Sequence, residues 1–229
     1  MSQFKYDSSI FNRWTQIYGL VCLLEIIAEI FLEYQVDFGY QLRLLMKPIA
    51  MPVLALALYK SLVPNVQQVH WSLLAGLIFS WAGDVLLMPP FRNFILGLVA
   101  FLIAHLFYIQ AFSKNISLKY WRPLYLLPGI RLFFVVAYTV VPYTGKLMIP
   151  VIIYTAVICT MLTTAVVRHF TFSFPVAALG ASLFVASDFI LAWALFVESF
   201  AWNRIFTMSF YLLAQWLIVR GVLTSQKGY

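Results

Sequence analysis

Charge is what this sequence has least of. Only 10% of its 229 residues are Asp, Glu, Lys or Arg, and 63% are hydrophobic. A water-soluble domain carries about a quarter charged residues, so that class is excluded. Cysteine is nearly absent. Cys22 and Cys159 both sit inside apolar runs, where they act as small apolar side chains and supply neither a disulfide framework nor metal-ligand spacing. The three histidines, His70, His105 and His169, lie far apart in the chain. There is no H-E-x-x-H motif, no G-x-S-x-G nucleophile elbow and no glycine loop of the phosphate-cradling kind. No metal and no organic cofactor is therefore expected. No low-complexity segment or linker is left over for a second, soluble domain.

What is present is apolar length. Runs of roughly 17–22 residues match the thickness of a bilayer crossed as a helix. Eight such spans are predicted, at 14–32, 41–60, 71–88, 94–112, 122–140, 147–166, 175–197 and 204–221. The fold class is thus all-α, a polytopic membrane bundle forming a single transmembrane domain over residues 1–229. The first run contains Glu25 and Glu29 and lacks a small-residue cleavage site, so it reads as a retained span.

The net charge of +7 reads as topology. The basic residues are scattered over loops and form no stripe, which argues against nucleic acid. Eight spans put both termini on one side. That side holds Lys5, Arg13, Lys60, Lys114, Lys119, Arg122, Arg168, Arg220 and Lys227, whereas the other holds Arg43, Arg92, Lys146 and Arg204 with Glu33, Asp37 and Glu198. The excess of cations predicts cytoplasmic termini. The expected location is a cell membrane, the bacterial inner membrane in the first place.

Two aspartates interrupt the apolar runs, Asp84 in FSWAGDVLLM and Asp188 in FVASDFILAW. Aligning them brings Gly76 onto Gly180, Ala82 onto Ala186, Gly83 onto Ser187 and Leu87 onto Leu191. His105 in AHLFYI then falls opposite Gln215 in AQWLIV. The expectation is a duplication, with half-repeats at about 14–112 and 122–221. Four helices per half keep both halves in one orientation, as in parallel repeats. The aspartates would then stand at equal depth as a pair.

Polar side chains within a membrane face protein or a water-filled cavity. Ser80 shares a helical face with Asp84, and Ser187 adjoins Asp188. His105 and Tyr108 share a face of the fourth span, Arg43 and Lys47 one of the second, and Tyr18, Cys22, Glu25 and Glu29 one of the first. Arg131, Tyr154, Tyr211 and Gln215 come from the fifth, sixth and eighth. Packing explains the glycines and Ser187, and interhelical hydrogen bonding explains Tyr154, Tyr211 and Gln215. Glu25 and Glu29 read as structural, either as partners of Lys47 or Arg131 or as residues near the outer interface. A functional role is reserved for Asp84 and Asp188. With four acids (Glu25, Glu29, Asp84, Asp188) against two bases (Lys47, Arg131), one carboxyl is expected to hold a proton. Two neighbouring carboxyls can share a proton and act as acid and base.

MKPIAMPVLAL (46–56), GLIFSWAGDVLLM (76–88), GLVAFLIAHLFYIQAF (97–112), PVIIYTAVI (150–158), GASLFVASDFILA (180–192) and YLLAQWLIVRG (211–221) together resemble the YhhN-like family of integral membrane proteins, which includes lysoplasmalogenases. The first span lies outside this resemblance, and AWALF at 192–196 departs from it where a polar residue is usual. The resemblance implies hydrolysis of the vinyl ether bond of a lysoplasmalogen, giving a fatty aldehyde and glycerophosphoethanolamine or glycerophosphocholine. Such chemistry needs an acid, an anion beside an oxocarbenium ion and a base for water, much as in glycoside hydrolysis. Asp84 and Asp188 are expected as that pair. His105 and Tyr108 would orient water or an aspartate, and Lys47 and Arg131 would meet the phosphate as cations. A lysophospholipid and the surrounding membrane lipids are the implied partners, with no obligate protein partner. The rival expectations are a proton-coupled transporter of a small lipid or amphiphile, a hydrolase of another lysolipid, and a structural protein with a buried polar network.

Overall fold

A computed structural model describes residues 6–62, 66–114, 116, 122–172 and 175–225. The loop cations Lys5, Lys119 and Lys227 lie outside the described residues. Among those described, the chain forms helices and no strand: α1 (Ser8–Glu33), α2 (Asp37–Leu62), α3 (Gln68–Leu87), α4 (Phe94–Ser113), α5 (Leu127–Thr139), α6 (Met148–Phe172), α7 (Pro175–Phe196) and α8 (Asn203–Ser225). Eight segments are long and apolar enough to cross a membrane. The protein is an integral membrane protein, as the apolar runs predict.

α1 and the fifth span depart from their sequence expectation, and α6 runs on to Phe172 beyond its expected end at 166. α1 starts at Ser8 rather than at residue 14, because Asp7 caps it. The Asp7 carboxylate accepts from the Ser9 and Ile10 N–H groups at 2.9 and 3.1 Å and from the Ser9 hydroxyl at 2.7 Å. The fifth span is built differently at its ends. A 3₁₀ turn (Pro123–Leu126) leads into a helix of only 13 residues, and further 3₁₀ turns follow at Val141–Tyr143 and Gly145–Leu147. Pro123 and Pro142 each stand at the start of one of these turns, where a missing N–H costs nothing.

The Asp7 cap gives a pH prediction. Its hydrogen bonds, that from the Ser9 hydroxyl first, hold the carboxyl below the usual aspartate range. A carboxyl with a depressed folded pKa stabilises the fold above its ordinary pKa, and the contribution is lost as pH falls through the lowered value. Asp7→Ala should therefore speed amide exchange at Ser9 and Ile10 at neutral pH. Wild type should converge on the variant in acid.

The chain forms two compact units. One runs up to Ala111 and includes the end of α8 from Leu223. The other is Phe112–Val222. In the first unit α1 and α2 form an antiparallel hairpin. Gly39 makes it tight, since a Cβ there would lie 2.6 Å from Phe31 Cβ and 2.9 Å from the Ala28 carbonyl. α3 packs on α4 in the same manner: Gly76 and Gly83 leave room for the rings of Tyr108 and Phe101. Phe79 stacks on Phe107 at 5.6 Å, and the Ser72 hydroxyl donates to Gln110 Oε1 at 3.0 Å.

α2 contains both Pro48 and Pro52. Pro52 has no N–H for the carbonyl four residues before it, which is that of Pro48. The Trp81 indole N–H of α3 takes this carbonyl instead, at 2.9 Å. Trp81→Phe should therefore cost about 1 kcal/mol, the scale of an interhelical hydrogen bond in lipid. Thermal unfolding in detergent would show it, and Trp81→Phe should change little in a chain whose Pro52 is replaced by Ala.

The second unit is closed by glycines of α7 and α8. A Cβ on Gly180 would lie 2.8 Å from the Ile218 N, and one on Gly221 2.5 Å from the Ala177 N. Gly129 lets α5 approach the Cys159 carbonyl of α6. Arg168 is buried and donates to the carbonyls of Phe112 and Lys114, at 3.2 and 3.0 Å. Its sequence assignment to a loop overlooks this. The guanidinium satisfies carbonyls at the end of α4 that no helical N–H reaches.

Candidate active site

The polar groups of the first unit gather where α1, α2 and α3 meet. Asp84 is buried on α3, and the ammonium of Lys47, buried on α2, stands 3.8 Å from its Oδ1. That is an ion pair without hydrogen-bond contact. Arg43, one turn before Lys47, places its Nε 2.9 Å from Glu29 Oε1. Glu25, one turn before Glu29 on α1, is fully buried within the electrostatic reach of Lys47, Glu29, Arg43 and Asp84. Glu29 thus pairs with Arg43, not with Lys47 or Arg131 as the sequence reading has it, and Lys47 belongs to Asp84.

Ser80, one turn before Asp84, lies 3.3 Å from the Tyr108 hydroxyl, both side chains being buried. His105 is fully buried on α4, one turn before Tyr108. Ser80, Asp84 and Lys47 therefore do share the interior of one unit, together with His105 and Tyr108.

In the second unit Asp188 is held differently. The Tyr154 hydroxyl of α6 donates to its Oδ2. Ser187 donates to the Thr207 carbonyl at 2.9 Å, which ties α7 to α8. Tyr211 packs edge-on against Phe184 at 5.4 Å, and Gln215 is fully buried on α8. Arg131 is exposed on α5. The second cation beside the buried acids, after Lys47, is Arg43.

Each aspartate thus has its own support, a cation for Asp84 and a neutral phenol for Asp188. An ionised carboxylate in an apolar interior requires such a partner. The described residues hold no group of three or more His, Cys, Asp or Glu side chains arranged for a metal ion. What the first unit offers is the buried carboxyls of Glu25, Glu29 and Asp84 beside the cations Arg43 and Lys47.

Sequence reasoning placed Arg43 on a face with Lys47 but counted only Lys47 and Arg131 as interior cations, and gave Glu25 and Glu29 only a structural part. A signal for all three existed. Glu29 and Arg43 each lie seven residues from Val36, and Glu25 and Lys47 each lie eleven. An antiparallel hairpin turning at residues 34–36 puts such equidistant residues opposite one another.

Eight helices among the described residues that are long and apolar enough to cross a membrane, with ionisable side chains buried within the first unit, mark an integral membrane protein. The chain belongs to the YhhN family, which it matches over residues 42–222. It is 31% identical to lysoplasmalogenase TMEM86B of Mus musculus over 218 residues, covering 93% of this chain and 87% of that protein. The lysoplasmalogenase TMEM86B of Rattus norvegicus is 32% identical over 180 residues (76% of this chain, 71% of that protein), and that of Homo sapiens 30% over 183 (76% and 74%). No solved structure matches.

Proposed function

We propose that the chain hydrolyses the vinyl ether bond of a lysoplasmalogen, releasing a fatty aldehyde and glycerophosphoethanolamine or glycerophosphocholine. The observation that carries this is the likeness to lysoplasmalogenases, which for that of Mus musculus runs along 93% of the chain. Two carboxylates, Asp84 buried and Asp188 half-buried, supply a chemical rationale. A vinyl ether is cleaved by protonation of its β-carbon, which leaves an oxocarbenium ion. Water adds to that ion, and the hemiacetal collapses to aldehyde and alcohol. Asp84 and Asp188 are the proposed acid–base carboxylates. Lys47 stands beside Asp84, and an ionised Asp84 suits the cationic intermediate. Tyr154 orients Asp188. His105, Tyr108 and Ser80 would order water or substrate beside Asp84, with Tyr211 and Gln215 as polar lining of the second unit. The same reading takes the two halves as parallel repeats and both termini as cytoplasmic.

The test is aldehyde release from alkenyl-glycerophosphoethanolamine by the purified protein in detergent, with acyl lysolipid run in parallel. Aldehyde from the alkenyl lipid alone is the expected result. Folded protein that releases none, or that frees fatty acid from the acyl lipid, would overturn the assignment.

A further inference from the structure

Glu25 has no place in the chemistry assigned so far, yet it is the least expected side chain in the first unit. It is fully buried, and neither carboxyl oxygen has a hydrogen-bond partner among the described residues; the same is true of the Glu29 oxygens, but Glu29 has the Arg43 guanidinium at 2.9 Å. Five charged or acidic groups share this interior: Glu25 and Glu29 on α1, Arg43 and Lys47 on α2, and Asp84 on α3. Cys22, one turn before Glu25, also faces it. The cations are taken pairwise, Arg43 by Glu29 and Lys47 by Asp84. Three carboxyls to two cations leave one over. A bare charge with no donor would be very costly in such surroundings. The carboxyl left over is therefore the one able to hold a proton.

We propose that Glu25 is a catalytic acid of this site, giving its proton to the β-carbon of the substrate's vinyl ether beside the Asp84 carboxylate. This rests on the hydrolase reading above and refines its aspartate pair: neither aspartate is the source of the first proton. The steps balance. The π electrons of the vinyl group form the new C–H bond with the Glu25 proton, leaving an oxocarbenium ion opposite ionised Asp84. Water adds to the carbon bearing the ether oxygen, and one of its protons passes to a carboxylate. The hemiacetal hydroxyl then loses its proton as the C–O bond to glycerol breaks. The glycerol oxygen takes up a proton, aldehyde leaves, and Glu25 is again protonated.

Depth agrees with this role. Glu25 is eight residues before the end of α1, about 12 Å along the axis. Arg43 and Glu29 lie one turn nearer that end, and the Arg43 side chain is 24% exposed. A lysolipid's vinyl ether sits just beneath its phosphate, so a phosphate at Arg43 brings the reacting carbons toward Glu25. No aspartate of the proposed pair lies on α1, and α1 lies outside residues 42–222.

The experiment compares wild type, Glu25→Gln and Glu25→Asp on alkenyl-glycerophosphoethanolamine in H₂O and D₂O. Wild type in D₂O should release aldehyde carrying one deuterium next to the carbonyl, the signature of protonation at carbon. Glu25→Gln should lose about 10²–10³-fold in kcat with KM within a few-fold of wild type. Glu25→Asp should recover part of kcat with a displaced pH profile. Infrared spectra of wild type should show a protonated carboxyl band that Glu25→Gln lacks. Wild-type kcat in folded Glu25→Gln, or absence of that band from wild type at neutral pH, overturns the proposal while the hydrolase reading stands. Absence of aldehyde from folded wild type overturns both.

Discussion

Asp84→Asn is expected to lower aldehyde release by about 10²–10⁴-fold in kcat, the range for loss of an acid–base group, while the protein still folds. Asn fills the volume of Asp but cannot carry the charge that faces the oxocarbenium ion. Asp188→Asn should fall in the same range. Its neighbour supplies a control: Tyr154→Phe removes the hydroxyl that holds Asp188 and leaves the carboxylate in place. Its loss should be smaller, about 10-fold, because the orientation of the base suffers and its chemistry does not. Turnover per folded molecule, measured with alkenyl lysolipid, separates these cases. Full turnover in both Asn variants would remove the aspartates from the mechanism.

Lys47→Met should have the largest effect on stability. It strips the cation from buried Asp84, and breaking one side of a buried ion pair costs about 3–5 kcal/mol in soluble proteins. Unfolded helices that stay in lipid find substitute partners, which favours the lower end of that range. A loss of about 3 kcal/mol corresponds to a fall in Tm of about 6–12 °C for a chain of this size. The double variant Lys47→Met with Asp84→Leu should recover most of it, since no lone charge remains. If the single and double variants melt alike, the 3.8 Å contact contributes nothing. Lys47→Arg is no neutral control, because a planar guanidinium needs more room than an ammonium.

The eight helices are legible in the sequence because length and apolarity alone decide a bilayer span. The start of α1 is not, because a single hydrogen-bonding side chain, Asp7, adds polar turns beyond the apolar run. The aspartates stand out because a carboxylate inside Leu and Val is costly wherever it lies. Their partners are harder. Tyr154 is 34 residues from Asp188 and Lys47 is 37 from Asp84, so no local pattern links them. The Glu29–Arg43 pair is different. Once a hairpin turn at residues 34–36 is assumed, counting outward finds it. Arg131 shows the opposite error. Its place within an apolar run suggests an interior, but the helix there is short and the side chain is exposed.

The two prolines of α2 have a mechanical consequence. A helix resists bending through its ladder of backbone bonds, and here two N–H rungs are missing four residues apart. One freed carbonyl is tethered sideways to Trp81 rather than along the axis. Stiffness along α2 is therefore lowest just after Lys47, and the charged portion with Arg43 and Lys47 is joined to Val53–Leu62 through a compliant joint. Small bends of this helix will move the two cations more than anything beyond the joint, with Trp81 as the fulcrum.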